Sequence, residues 1–302
     1  MTSSAHRQRE LLFPWLFVVL WSTGFIAAKY GLPYAPPLTF LWYRFLFVAA
    51  LMLPVAAITR APWPDSPMQV LHVAIAAWLV NGAYLGGVFV AMSQGMTAGT
   101  SSMLVGLQPI LTVVIARAWF GETVSLRQWI GLVLGLLGVW LVVSDKVSLN
   151  GETHGLLAIT IALVGISVGT LYQKRFGARV DLRSGSVIQF GACALLYAPL
   201  TLALEHRPVQ WTPRFMFAIG WSVLVLSVGA ISLLYWLLRH GEAANVARLF
   251  YLVPPVTAVM AYAIFGETLS AAAIAGMVLI AVGVAMSRAR AQASPATDEV
   301  RA

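Results

Sequence analysis

Residues 98–139 read AGTSSMLVGLQPILTVVIARAWFGETVSLRQWIGLVLGLLGV, and residues 243–284 read AANVARLFYLVPPVTAVMAYAIFGETLSAAAIAGMVLIAVGV. Laid together without a gap, at an offset of 145, they are identical at 18 of 42 positions. The shared residues include Pro109/Pro254, Thr112/Thr257, Ser125/Ser270, Gly131/Gly276 and Gly138/Gly283. Both copies carry Phe-Gly-Glu-Thr, as Phe120-Gly121-Glu122-Thr123 and Phe265-Gly266-Glu267-Thr268. The same offset upstream pairs Ser22/Ser167, Gly24/Gly169, Lys29/Lys174, Phe45/Phe190, Ala49/Ala194 and Pro54/Pro199. The chain is therefore read as a tandem duplication, residues 12–144 and 155–287, with tails at 1–11 and 288–302.

Each copy contains five apolar runs. In the whole chain of 302 residues, 60% are hydrophobic and 10% charged, with a mean hydropathy of +0.83. A soluble domain has nearer 25% charged residues and cannot wet such a surface. A crossing helix needs roughly 20 apolar residues. The runs at about 12–31, 38–58, 69–92, 98–119, 127–144, 155–174, 185–204, 214–238, 244–265 and 270–287 meet that length. Proline clusters at Pro33–Pro37 and Pro62–Pro67 separate early runs, because proline cannot continue a helix. In the first Phe-Gly-Glu-Thr hairpin, Gly121 closes one helix, and Ser125 with Gln128 forms a capping box for the next. His6, Arg7 and Arg9 precede a run that continues to about Tyr30 without a cleavage site, so it reads as a retained span. The net charge of +8 lies between the runs, not on a basic face, which excludes a nucleic-acid partner.

Placing the N-terminus inside puts thirteen Lys and Arg residues on the cytoplasmic side and three outside, with Lys29, Arg44 and Arg248 inside spans. The positive-inside bias therefore sets both termini in the cytoplasm. Five spans is an odd number, so the two copies enter the membrane from opposite sides. The expected fold is an all-α protein of the bacterial inner membrane. It has ten transmembrane helices as two inverted five-helix repeats, a blueprint of alternating-access carriers with a site near mid-membrane. Opposed repeats complete the pseudo-twofold within one chain, so a monomer suffices.

These residues resemble the EamA family of the drug/metabolite transporter superfamily over nearly the whole chain. The resemblance is carried by Leu20-Trp21-Ser22-Thr23-Gly24-Phe25, Pro36-Pro37, Tyr43-Arg44-Phe45, Pro109 and the two Phe-Gly-Glu-Thr-x-Ser hairpins. It implies a secondary transporter of small organic solutes, foremost an exporter of amino acids, including aromatic ones. It also implies a central site made by the third, fourth, eighth and ninth helices, helped by the first and sixth. An importer of a vitamin or nucleotide-like solute shares this fold, and a membrane-embedded enzyme is the reading from another class.

Several chemistries lack their parts. Gly165-Ile166-Ser167-Val168-Gly169 matches a serine-hydrolase pattern, but the five histidines fall in tails, loops or helix ends, and Ser167 matches Ser22 in the repeat. Close helix packing explains it better, as it does Gly82/Gly86 and Gly131/Gly135. There is no phosphate loop, no metal-ligand cluster and no cofactor motif. Cys193 is the only cysteine and sits in an apolar run. No Asp or Glu falls mid-span. Glu122 and Glu267 read foremost as hairpin residues suited to the dipole of the following helix, with a role in gating as the other reading.

Polar groups inside the spans are the candidate substrate contacts. Lys29 reads foremost as snorkelling to the interface. Arg44 reads as an ion pair or carbonyl clamp, or as a site for an anionic group. Arg248 reads as that anion site, since a guanidinium suits a carboxylate or phosphate. Asn81 and Tyr84 share a helix face at i,i+3, as do Arg248 and Tyr251. Trp21, Gln108 and Tyr172 complete the favoured set, with Gln189 and Trp236 as further candidates.

Overall fold

The computed structural model describes residues 2–120, 125–144, 153–176, 180–240, 249–268 and 270–286. Among the described residues every regular element is helical. Helix α1 spans Thr2–Gly31, α2 Pro37–Ile58, α3 Pro67–Ser93, α4 Ala98–Trp119 and α5 Leu126–Ser144. Helix α6 spans Thr153–Phe176, α7 Leu182–Leu204, α8 213–240, α9 Val253–Phe265 and α10 Ala271–Met286. Seven of these are long and apolar enough to cross a membrane. The apolar parts of α5, α9 and α10 are shorter. The 13 residues of α9 rise only about 20 Å at 1.5 Å each, and the first residues expected of that span, 244–248, lie outside the described ones.

Side chains start most of the helices as the sequence suggests. Ser66, Thr97 and Thr212 accept from the amides of Gln69, Thr100 and Phe215 at 3.3, 3.2 and 3.2 Å. Ser125 and Gln128 form the expected capping box, with Gln128 N–H to Ser125 Oγ at 3.3 Å and Ser125 N–H to Gln128 Oε1 at 2.8 Å. Its repeat counterpart Ser270 caps α10 through Ala273 N–H at 3.0 Å. Gly266 ends α9 in the left-handed region, at φ 67°, where a side chain would be strained. Gly121, its counterpart, lies outside the described residues.

Some helices related by the 145-residue offset pack on one another. Helix α2 lies along α7, and α5 along α10. The α5–α10 crossing is close because glycines meet there. A Cβ on Gly138 would sit 2.6 Å from Gly276 O, and one on Gly283 would strike Gly131 O. Gly86 and Gly135 likewise face Tyr197 and Ile110 of this chain, so these glycines are seams within the bundle. The main core gathers Phe40, Phe45, Phe89 and Phe215, all buried, between α2, α3 and α8. Outward faces stay apolar, with Ile58, Leu195 and Leu202 mostly exposed, as suits a lipid solvent.

Two helices are widened in the middle. Helix α3 passes through a π-helical segment at Trp78–Ala83, and α8 through one at Trp221–Ala230. Subtracting 145 places 223–228 on 78–83, so the two wide turns are repeat equivalents. Wide turns of this kind loosen the ordinary i→i−4 ladder and often mark functional positions.

Candidate functional site

Arg44 lies in the second turn of α2 and is 8% exposed. Its Nε donates to Ser227 Oγ at 3.1 Å, on the wide segment of α8. The Ser227 hydroxyl donates onward to Ser222 O at 3.0 Å, five residues back. Tyr84, buried at the end of the wide segment of α3, is close enough to Arg44 for electrostatic coupling. No carboxylate pairs with Arg44 among the described residues, and its terminal N–H groups have no acceptor there. The buried hydroxyl of Ser222 likewise has no partner. The carbonyl clamp and the ion pair expected of Arg44 are thus replaced by a serine contact that leaves most of the guanidinium unpaired. Asn81 is half-buried on the wide segment of α3 and makes no hydrogen bond among the described residues.

The other candidates stand apart from Arg44 in their contacts. Gln108 reaches Thr170 Oγ1 at 3.3 Å and Thr112 Oγ1 at 3.5 Å, tying α4 to α6. Tyr172 hydrogen-bonds His72 Nδ1 at 2.7 Å, and the His72 ring stacks on Phe176 at 4.5 Å. His72 therefore lies inside α3 and bridges it to α6. Trp21 joins an aromatic cluster with Phe17 and Phe250, ring centroids 5.3 and 5.1 Å away. Trp236 stands edge-on to Phe13 at 4.6 Å. Gln189 lines a small cleft with Gln173 beside Asp181. Arg248 and the side chain of Tyr251 lie outside the described residues. Of the favoured residues that are described, only Arg44 and Tyr84 lie near enough to couple electrostatically.

The helix ends carry contacts that link distant parts of the chain. Lys29 does not snorkel free: its ammonium pairs with the Glu267 carboxylate and stands 5.0 Å from the Phe265 ring centroid. Glu267 also accepts from Ala98 N–H at 3.2 Å and Gly99 N–H at 3.4 Å. It therefore serves the N-terminus of α4, in the other repeat, and not only the helix that follows it. Glu205 accepts from Leu38 N–H at 2.8 Å and Thr39 N–H at 2.7 Å at the start of α2. At the opposite end Asp181 caps α7, and the Arg183 guanidinium beside it holds its carboxyl below the usual range.

Ser22 and Ser167, the repeat pair that includes the hydrolase-like serine, both bond backbone carbonyls. Both are fully buried. Ser22 Oγ reaches Val253 O at 3.3 Å, and Ser167 Oγ reaches Leu163 O at 2.7 Å and Gln108 O at 3.5 Å. Val253 and Gln108 are themselves 145 apart, so one contact is built twice. The serines hold α1 to α9 and α6 to α4.

Two matches to the EamA-like transporter family cover residues 9–144 and 153–289. The chain belongs to that family. It is 27% identical to "Uncharacterized transporter YvbV" of Bacillus subtilis, over 96% of this chain and 95% of that one. It is 28% identical to a "Probable amino-acid metabolite efflux pump" of Salmonella typhimurium, over 89% and 91%. It is 26% identical to "Uncharacterized inner membrane transporter YedA" of Escherichia coli K12, over 87% and 86%. A solved structure titled "Crystal structure of protein" superposes with a TM-score of 0.64 at 19% identity, covering 91% of this chain and 96% of the other, and shares the fold. The protein is thus a multi-pass transporter of the bacterial inner membrane, working on a small molecule amid lipid. Family membership implies a carrier and not an enzyme.

Proposed function

We propose that this EamA-type transporter exports small organic metabolites bearing an anionic group, amino acids foremost, by alternating access. In this reading ten helices form two inverted five-helix repeats, residues 12–144 and 155–287, with both termini cytoplasmic and a monomer as the working unit. The twice-built serine contact and the pairing of α2 with α7 and α5 with α10 support the twofold relation. The efflux-pump name of the Salmonella relative supports the direction and the substrate class.

The observation that carries the substrate class is Arg44. A guanidinium is costly inside a bilayer unless it is paired. Here one of its donors meets Ser227 and the others meet no protein acceptor among the described residues. A substrate carboxylate completes that pairing in two charge-assisted bonds. Asn81 and Tyr84 stand on the same helix as hydrogen-bonding neighbours. Arg248 is the alternative holder of the anion, Asn81, Tyr84, Tyr172 and Tyr251 are offered to the rest of the substrate, and Trp21 and Gln108 are further contacts in this reading.

The test is uptake into proteoliposomes of labelled aromatic and aliphatic amino acids, with and without an imposed pH gradient. Wild type should show saturable uptake. Arg44→Gln should raise the half-saturating concentration by roughly 10–100-fold, the loss of one charged hydrogen-bonded contact of about 1.5–3 kcal/mol. Uptake of no amino acid would sink the substrate class, and uptake indifferent to Arg44→Gln would remove Arg44 from the site.

A further inference from the structure

Glu267 stands where the two repeat units meet at one end of the bundle. Its side chain is 7% exposed and that of its partner Lys29 is 34% exposed. Three donors converge on the carboxylate: the Lys29 ammonium from α1, and the Ala98 and Gly99 amides that open α4. All three belong to the first unit, and Glu267 belongs to the second. The amides add the positive end of the α4 dipole to the lysine charge. Movement of the α9–α10 hairpin away from α1 and α4 removes all three interactions together.

The opposite end differs. Lys174 is the repeat counterpart of Lys29 and sits near the end of α6, beside the His72–Tyr172 contact. It is exposed, and no ion pair or hydrogen bond holds it among the described residues. Among the described residues Lys29 is engaged and Lys174 is not, and Glu122, the repeat counterpart of Glu267, lies outside the described residues.

We infer that the Lys29–Glu267–α4 contact is a charged latch that holds the Glu267 end closed, and that its release is required to open the substrate path at that end. The inference rests on the alternating-access reading. In the proposed topology this is the outer face. Closure there comes from one buried carboxylate that ties two helices of the first unit to one hairpin of the second. Such a tie breaks as a unit, which suits a two-state element better than a graded one.

The test uses thiol accessibility in the full chain, with Cys193→Ala as the parent. Ser102→Cys reports the latch end, since Ser102 is buried one turn into α4. Gln173→Cys reports the opposite end. A membrane-impermeant maleimide is applied from the relevant side of oriented vesicles. Glu267→Gln and Lys29→Gln should each raise Ser102→Cys labelling by about fivefold, as expected when an ion pair and a helix-terminus contact are lost together. The same variants should lower Gln173→Cys labelling, which a merely structural contact would not do. Lys174→Gln should leave Ser102→Cys labelling unchanged. The exchange of Lys29→Glu with Glu267→Lys should restore protection only in part, because it sets an ammonium against the α4 amides.

Unchanged Ser102→Cys labelling in the single variants overturns the latch. A rise at Ser102→Cys with no fall at Gln173→Cys overturns its role in conformational balance. Cross-linking Lys29→Cys to Glu267→Cys separates this from the underlying reading. If access alternates, the cross-link raises Gln173→Cys labelling whatever the single variants do. If it does not alternate, that rate stays at the parent value.

Discussion

The two repeat units agree in their middles and differ at their ends. At mid-helix, Ser22 and Ser167 make one contact twice, to Val253 O and Gln108 O. The wide segments of α3 and α8 fall on equivalent positions. Glycines 138 and 283 approach the partner helix's backbone in the same way. At the ends, Lys29 is ion-paired and Lys174 is exposed. The difference separates two kinds of interaction. Contacts repeated in both units are the ones expected to persist when the conformation changes. Contacts present in only one unit are those that a change of conformation can exchange.

That division predicts equal damage at equivalent middle positions. The largest effect is expected at the α5–α10 crossing. A methyl on Gly138 would press on Gly276 O and on Ile280 Cγ1 at 2.8 Å, and one on Gly283 would press on the backbone of Gly131 and Gly135. Backbone atoms in a helix pair cannot step aside without parting the helices. Gly138→Ala and Gly283→Ala should each cost about 1–3 kcal/mol, the usual range for overpacking. The expected readout is a melting temperature lowered by several degrees in detergent, alike for both variants. A loss confined to one of them would mean that the crossing is not a shared axis.

A smaller and again equal loss is expected from the serines. Ser22→Ala and Ser167→Ala remove one hydroxyl contact each and leave no cavity larger than an oxygen. Interhelical side-chain hydrogen bonds in membranes average about 0.6 kcal/mol, so each variant should lower thermal stability only slightly. If Ser167→Ala abolished a hydrolytic activity while Ser22→Ala did not, the two serines would no longer be equivalents. Transport assays of the pair, run beside a general esterase substrate, would show that.

Much of the architecture was legible because membrane helices advertise themselves. The apolar runs, the proline breaks and the Ser125–Gln128 capping box all rest on local rules, and local rules survive translation into structure. Lys29/Lys174 and Glu122/Glu267 are both visible as pairs at the repeat offset, but nothing in that offset joins a lysine to a glutamate. Taken singly, Lys29 fits a snorkelling cation, and Glu267 fits a hairpin cap or a gating group, with no partner indicated for either. Their pairing spans 238 residues and no spacing rule reaches that far. The wide segments were not legible either, since Trp78–Ala83 has no sequence mark that separates it from ordinary helix. They also loosen the i,i+3 argument for Asn81 and Tyr84, because a π turn advances fewer degrees per residue than an α turn. Gln108 and Tyr172 looked like cavity polar groups, and the structure gives each a protein partner on a neighbouring helix. Ser227 went unnoticed because a lone serine in an apolar run is common, and only its distance from Arg44 singles it out.

The smallest expected effect concerns the end opposite the latch, and it has a definite sign. Asp181 accepts from Arg183 N–H at 2.9 Å and from the Arg183 guanidinium at 3.0 and 3.1 Å. Those bonds favour the carboxylate, so its folded pKa lies below the ordinary 3.8. A depressed carboxyl stabilises the fold at pH values above its unfolded pKa, and that contribution fades as pH falls through the folded value. The Arg183 side chain is 38% exposed and that of Asp181 24%, so solvent screens the pair and the contribution is small. Asp181→Asn should therefore lower the melting temperature marginally at neutral pH, and the gap to wild type should close below about pH 4. High salt should shrink the gap in the same direction. Glu267→Gln, by contrast, should change conformation at neutral pH through the loss of a cross-unit contact, with its effect read in accessibility more than in melting. A melting effect of Asp181→Asn that persisted undiminished at low pH would mean that the cap acts through shape and not through charge. The contrast between the two ends would then rest on Lys29 and Glu267 alone.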